Sequence, residues 1–106
     1  MPPRPRLTAA AERDLELIWW WIARHGGIAR ADDVIDRLVA GMDRLAAAPL
    51  IGRRRPEFGG DRRSFALRPY LIVYHPVEAT IVVDRVVDGR RDLSRTLDTT
   101  DDAQEP

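Results

Sequence analysis

Two adjacent glycines, Gly26 and Gly27, interrupt a stretch of helical periodicity running from Thr8 to Ala47, and this break constrains the fold more than any other feature. Glycine disfavours a helix interior by about 1 kcal/mol per residue and readily adopts the left-handed conformation that ends helices. A connection this short turns the second helix back along the first, which predicts a helical hairpin. Thr8 has the hydroxyl of an N-cap, and Glu12 and Asp14 lie near the positive end of the first helix dipole. Ala11, Leu15, Ile18 and Ile22 keep the spacing of one buried face. Gly26 suits the left-handed position after the helix, and His25 stands where it meets the last free carbonyls, a structural role rather than a catalytic one. The second helix is expected from about Ala29 to Ala47, with Ala31, Val34, Ile35, Leu38, Met42 and Leu45 inward and Pro49 and Gly52 closing it.

The first helix carries LELIWWWIARHG at residues 15–26. Adjacent helical residues turn by about 100° per step, so three consecutive tryptophans cannot share one face. Trp19 and Trp21 fall on the flanks of the core stripe, and Trp20 points away from it beside Arg13, Glu16, Leu17 and Arg24. An indole exposed next to Leu17 is the pattern of an interface anchor; the alternative is a helix rotated so that all three rings tuck against its own domain.

After the turn-rich, basic loop IGRRRPEFGGD the period changes from that of helices to that of strands. RSFAL, Tyr70 to His75 and Thr80 to Val87 read as three strands, and PVEA makes the last two a hairpin. Arg4 to Leu7 reads as a first strand, with Pro5 tolerated at an edge or strand start. The expected order is β-α-α-β-β-β, an α+β fold with a helical hairpin packed on an antiparallel sheet. Leu15, Ile18, Ile22, Val34, Leu38, Leu45, Ile72 and Val83 are expected in its core.

The chain has no cysteine and only two histidines, His25 and His75, so neither a disulfide framework nor a thiolate metal site is expected, and no cofactor. No apolar run is long enough for a bilayer and MPPRPRLT lacks a signal-peptide core, so the expectation is a cytoplasmic protein without a membrane partner. Seventeen basic residues balance seventeen acidic ones, which excludes a global field drawing the protein to nucleic acid. Every basic residue is Arg, so no tunable lysine is present for proton transfer. Arg53, Arg54 and Arg55 form a loop triplet that reads either as a solvated run or as a phosphate or acidic-protein contact.

The element order, with DLELIWWWIA in the first helix, LAAAPLIGRRR after the second, YLIVY in a middle strand and DRVVDGRRDL at the end, resembles the RelE/ParE toxin superfamily, specifically its ParE-like branch. The resemblance spans about residues 4–93 and implies a single toxin domain over residues 1–93. Residues 94–106 are expected to be a polar, acidic, disordered tail. It also implies a type II toxin neutralised by a cognate antitoxin, with which it forms a hetero-oligomer.

The superfamily has two activities. Its mRNA-cleaving members resemble one another in carrying basic groups on the strand after the helices, an Arg directly after the next strand's opening Tyr, an Arg just beyond the last strand's glycine, and often a C-terminal Tyr or His. Here Ser64, Ala66 and Leu71 stand at those places, and only Arg90 and Arg91 of the set remain. RNA cleavage needs a group to take the 2′-OH proton, which arginine does not supply. The expectation is therefore a non-enzymatic toxin that inhibits DNA gyrase by binding; the alternatives are a ribosome-dependent endoribonuclease of the RelE type, or a non-toxic interaction module. ParE-like chains commonly end in RVLHGRRD, and this one has Asp88 where His is usual. The resemblance puts Arg85, Asp88, Arg90 and Arg91 forward as target-binding residues, with no catalytic residue and no metal ligand. Leu17, Trp20, Arg85, Arg90 and Arg91 are the expected antitoxin contacts. Arg85 reads equally as a sheet residue paired with Asp84, Asp88 or Asp92.

Overall fold

The computed structural model describes residues 4–90. Strand β1 (Arg6–Leu7) leads into helix α1 (Ala9–Gly26), then helix α2 (Ile28–Ala47), strand β2 (Arg53–Arg54), a 3-10 turn (Pro56–Phe58), and strands β3 (Arg63–Leu67), β4 (Tyr70–Val77) and β5 (Thr80–Asp88). The five strands form one sheet in the order β1-β5-β4-β3-β2. It is mixed rather than antiparallel throughout, because β1 lies parallel to β5 with Arg6 opposite Val82 and Leu7 opposite Val83. The chain can close in this sense only because the whole hairpin and three strands intervene between the two. Strand β2 is an addition to the expected order: Arg53 and Arg54 extend the edge of β3, opposite Ser64 and Arg63.

Thr8 caps α1 as its sequence predicts, its Oγ1 accepting the N–H of Ala11 at 3.0 Å. The same hydroxyl donates to the carbonyl of Asp84 at 2.8 Å, tying the helix start to the last strand. The hairpin turns one residue later than expected. Gly26 is still helical and Gly27, with φ +94, is both the end of α1 and the start of α2. Its N–H reaches the carbonyl of Ala23 and its own carbonyl accepts from Ala31, a double duty that needs the positive φ only glycine adopts without strain.

The core lies between the hairpin and one sheet face. Ala11, Leu38, Met42, Leu45 and Ala46 meet Ile72, Tyr74, Ile81, Val83 and Val86. Tyr74 is fully buried, and its hydroxyl donates to the carbonyl of Pro49 at 2.8 Å and accepts from the N–H of Gly52 at 2.9 Å. A Cβ at Gly52 would run into that ring, which accounts for the glycine in LAAAPLIGR. On the opposite face Phe58 folds over Val73 and Val87 as a second, smaller cluster. Of the expected core residues, Leu15, Ile18 and Val34 are only half-buried, though they pack on the core. For Ile18 and Val34 the reason is a groove that opens beside them.

Candidate functional site

The groove has a volume of about 1060 Å³ and lies where the C-terminal half of α1, the N-terminal half of α2, the β3–β4 turn and the end of β5 converge. Leu17, Ile18, Trp21 and Ile22 supply one wall, Val34 and Leu38 the helical floor, and Leu67, Pro69 and Tyr70 the opposite lip. Leu17 and Trp21 are 61% and 62% exposed, so this wall presents a large apolar area to solvent. Covering such side chains is worth about 1.5–3 kcal/mol each.

The three tryptophans have three different environments. Trp19 turns toward α2, where its Nε1–H donates to Asp32 at 2.8 Å. Trp20 stands outward, as its place on the helix predicts, and is 61% exposed. Trp21, expected on the flank of the core, instead lines the groove and stacks on His25 with ring centres 4.2 Å apart. His25 donates Nδ1–H to the carbonyl of Trp21 at 2.7 Å, the helix-end role read from its position. The spacing that marks Trp21 was present in the sequence: Leu17 and Trp21 are one helical turn apart and share a face.

The groove is basic. Five arginines line it, Arg30, Arg37, Arg68, Arg85 and Arg90, with two aspartates, Asp14 and Asp88. Both aspartates are occupied. Asp14 accepts two hydrogen bonds from Arg85, Nε at 2.6 Å and Nη2 at 2.8 Å, and a third from the N–H of Val86 at 2.9 Å. This pair is largely buried, with side chains 17% and 11% exposed for Arg85 and Asp14. Arg85 thus has a partner on the first helix that local spacing did not offer. Asp14 seals the edge of β5 just past the end of β1.

Asp88 accepts from three donors of one residue: the backbone N–H and Nε of Arg90 at 2.9 Å each, and its Nη2 at 2.6 Å. This bond holds the Arg90 guanidinium above its usual pKa. Tyr70 at the same end of the groove has its phenol pushed up, first by burial and then by the Asp88 carboxylate. The structure therefore brings Arg85, Asp88, Arg90 and Leu17 to one groove. Trp20 is not among its lining residues. Arg91 and the tail 94–106 lie outside the described residues. Arg30, Arg37, Arg68 and Tyr70 were not singled out by sequence, since residues so far apart in the chain meet only through the fold.

The opposite sheet face carries a second polar group. Asp84, 1% exposed, receives Nδ1–H of His75 at 2.8 Å, with Nε of Arg62 at 3.6 Å. Ser64, also buried, accepts from Arg55 at 3.1 Å. Among the described residues no group of His, Asp and Glu side chains is arranged to hold a metal ion, and no helix is long and apolar enough to cross a membrane.

The chain is therefore a small α+β protein, a two-helix hairpin on a mixed five-stranded sheet with a basic, apolar-walled groove at one end. The family model for the ParE toxin of type II toxin–antitoxin systems, parDE, matches residues 6–93, and the chain belongs to that family. It is 34% identical over 98 residues to Toxin ParE1 of Mycobacterium tuberculosis, covering 92% of this chain and all of that protein (100%). Toxin ParE3 of Caulobacter vibrioides is 27% identical over 90 residues, covering 85% of this chain and 90% of its own length. Among solved structures, the chromosomal ParDE TA system from P. aeruginosa superposes with a TM-score of 0.70 at 19% identity, over 82% of this chain and 96% of that one. The last comparison shows the shared fold. The chain is a ParE-type toxin of a type II toxin–antitoxin system.

Proposed function

We propose that this toxin arrests growth by binding DNA gyrase, without catalysis of its own, and that a cognate antitoxin silences it by filling the groove. The observation that carries the antitoxin half is the exposed wall of Leu17 and Trp21 under three arginines, Arg30, Arg37 and Arg68, that have no ion-pair partner among the described residues. A segment with apolar side chains on one face and carboxylates beside them fits that lining. Membership of the ParE family supports the gyrase half. Arg90, held by Asp88 at the end of the groove, is the proposed target contact, together with Arg91; Arg85 acts through its bond to Asp14, keeping the β5 end in place.

The test is a supercoiling assay with purified toxin. Inhibition with trapped, cleaved DNA complexes is expected, reduced by Arg90→Ala in a protein whose circular dichroism is unchanged; intact supercoiling sinks the target assignment. One observation favours a second reading, RNA cleavage of the RelE type: His75, oriented by Asp84 beside Arg62, is a proton carrier on the outer sheet face. Primer extension on ribosome-bound mRNA separates the two, since codon-specific cleavage lost in His75→Ala would replace the gyrase reading. A chain that binds antitoxin and does neither is an interaction module.

A further inference from the structure

Trp20 is left over once the groove is assigned. It stands on the solvent ridge of α1, 61% exposed, and Trp19 meets it edge-on with ring centres 5.5 Å apart and planes at 88°. Because Trp19 is itself bound to Asp32 of α2, the outward indole is braced from the helix behind it. Helical geometry puts Arg13, Glu16, Leu17 and Arg24 within about 60° of the direction of Trp20. Neither Glu16 nor Arg24 has an ion-pair partner among the described residues. They flank Trp20 symmetrically, one turn before it and one turn after it, with opposite charges.

We infer that this ridge is a self-complementary surface that docks against the same ridge of a second copy of the chain. In an isologous contact each residue meets its symmetry mate's neighbour across a two-fold axis. With the two α1 helices antiparallel and the axis at the level of Trp20, the indoles meet at the centre. Each Glu16 then comes to the level of the other copy's Arg24, and Leu17 to the level of Ala23, whose short side chain leaves room for close approach. A parallel arrangement would set Glu16 against Glu16 and Arg24 against Arg24, so the charge pattern selects the antiparallel one. The surface is small, a braced Trp and a Leu from each side, and the dimer is correspondingly weak, with Kd on the order of tens of micromolar. Leu17 belongs to both ridge and groove, so the dimer and an occupied groove compete; the dimer itself does not depend on the antitoxin reading.

Sedimentation equilibrium of the isolated toxin tests this, with each variant checked for fold by circular dichroism. The wild type is expected to pass from monomer to dimer with rising concentration, and Trp20→Ala to raise Kd at least tenfold. Glu16→Arg and Arg24→Glu should each weaken the dimer at least tenfold, because positions 16 and 24, which meet across the axis, then carry the same sign on both copies. Mixed in equal amounts, the two should pair, one copy carrying only positive charge at these positions and the other only negative. A wild type that stays monomeric at several hundred micromolar overturns the proposal, as does a dimer that neither single reversal weakens or a mixture that stays monomeric. If the toxin is monomeric and Trp20→Ala instead abolishes antitoxin binding, the ridge belongs to the antitoxin and the proposal falls.

Discussion

Tyr74, fully buried, and Asp14, largely buried, are two polar residues whose partners were invisible to local patterns, and each makes a sharp prediction. The Tyr74 hydroxyl serves Pro49 and Gly52 at once, so Tyr74→Phe leaves a buried N–H and a carbonyl unpaired and should cost about 1–3 kcal/mol in denaturant unfolding. Burial, opposed by the Gly52 hydrogen bond, raises the Tyr74 phenol above its ordinary value. A raised acid favours its neutral form in the fold, so this contribution is complete below the unfolded pKa of about 10 and is lost as pH rises through the folded value. Stability should hold through neutral pH and fall above about pH 10, and Tyr74→Phe, starting lower, should show a shallower alkaline fall. Asp14→Ala removes three hydrogen bonds from a largely buried pair, so a loss of about 2–4 kcal/mol is expected by the same measurement. A loss below about 0.5 kcal/mol would show that the pair is a solvated contact.

At the scale of elements, the helices and the first strand were the legible part, and the β2 edge of the sheet was not. The stripe on α2 placed Leu38, Met42 and Leu45 in the core, where they are buried, because a 3.6-residue period leaves few alternatives for which face turns inward. Leu38→Ala should accordingly cost about 2–5 kcal/mol in denaturant unfolding. The strands β3, β4 and β5 were likewise marked by their change of period. Strand β2 went unread because two arginines in a loop carry no alternation, and their pairing with Arg63 and Ser64 is set by the partner strand. The partial burial of Ile18 and Val34 was hidden for a related reason. Periodicity tells which face of a helix is apolar, and not whether the opposing surface reaches all of it. Here the sheet falls short at one end, and the shortfall is the groove.

At the scale of the molecule, the candidate site was legible only as fragments. Arg85, Asp88 and Arg90 came forward through family resemblance, and Leu17 through the helical wheel; that they face one another across a groove with Arg30, Arg37 and Arg68 is a product of the tertiary fold. The lining predicts a two-part affinity for the antitoxin. Trp21→Ala should weaken binding by about 2 kcal/mol or more at any salt concentration, and Arg37→Ala should weaken it chiefly at low ionic strength. Titrations of both variants at two salt concentrations check this; a Trp21→Ala protein of wild-type affinity would place the antitoxin elsewhere. The parallel pairing of β1 with β5, and the Thr8 hydroxyl bonded to Asp84, join residues 76 apart in sequence. Closure over so long a loop comes late in folding. On the ribosome, where the chain emerges from its N-terminus, the first strand has no place to pair until the last has been synthesised. A translation product interrupted before β5 therefore lacks both the closed sheet and the arginines at its end. The closed sheet, and the groove whose end β5 forms, exist only when nearly all of the described chain has been made.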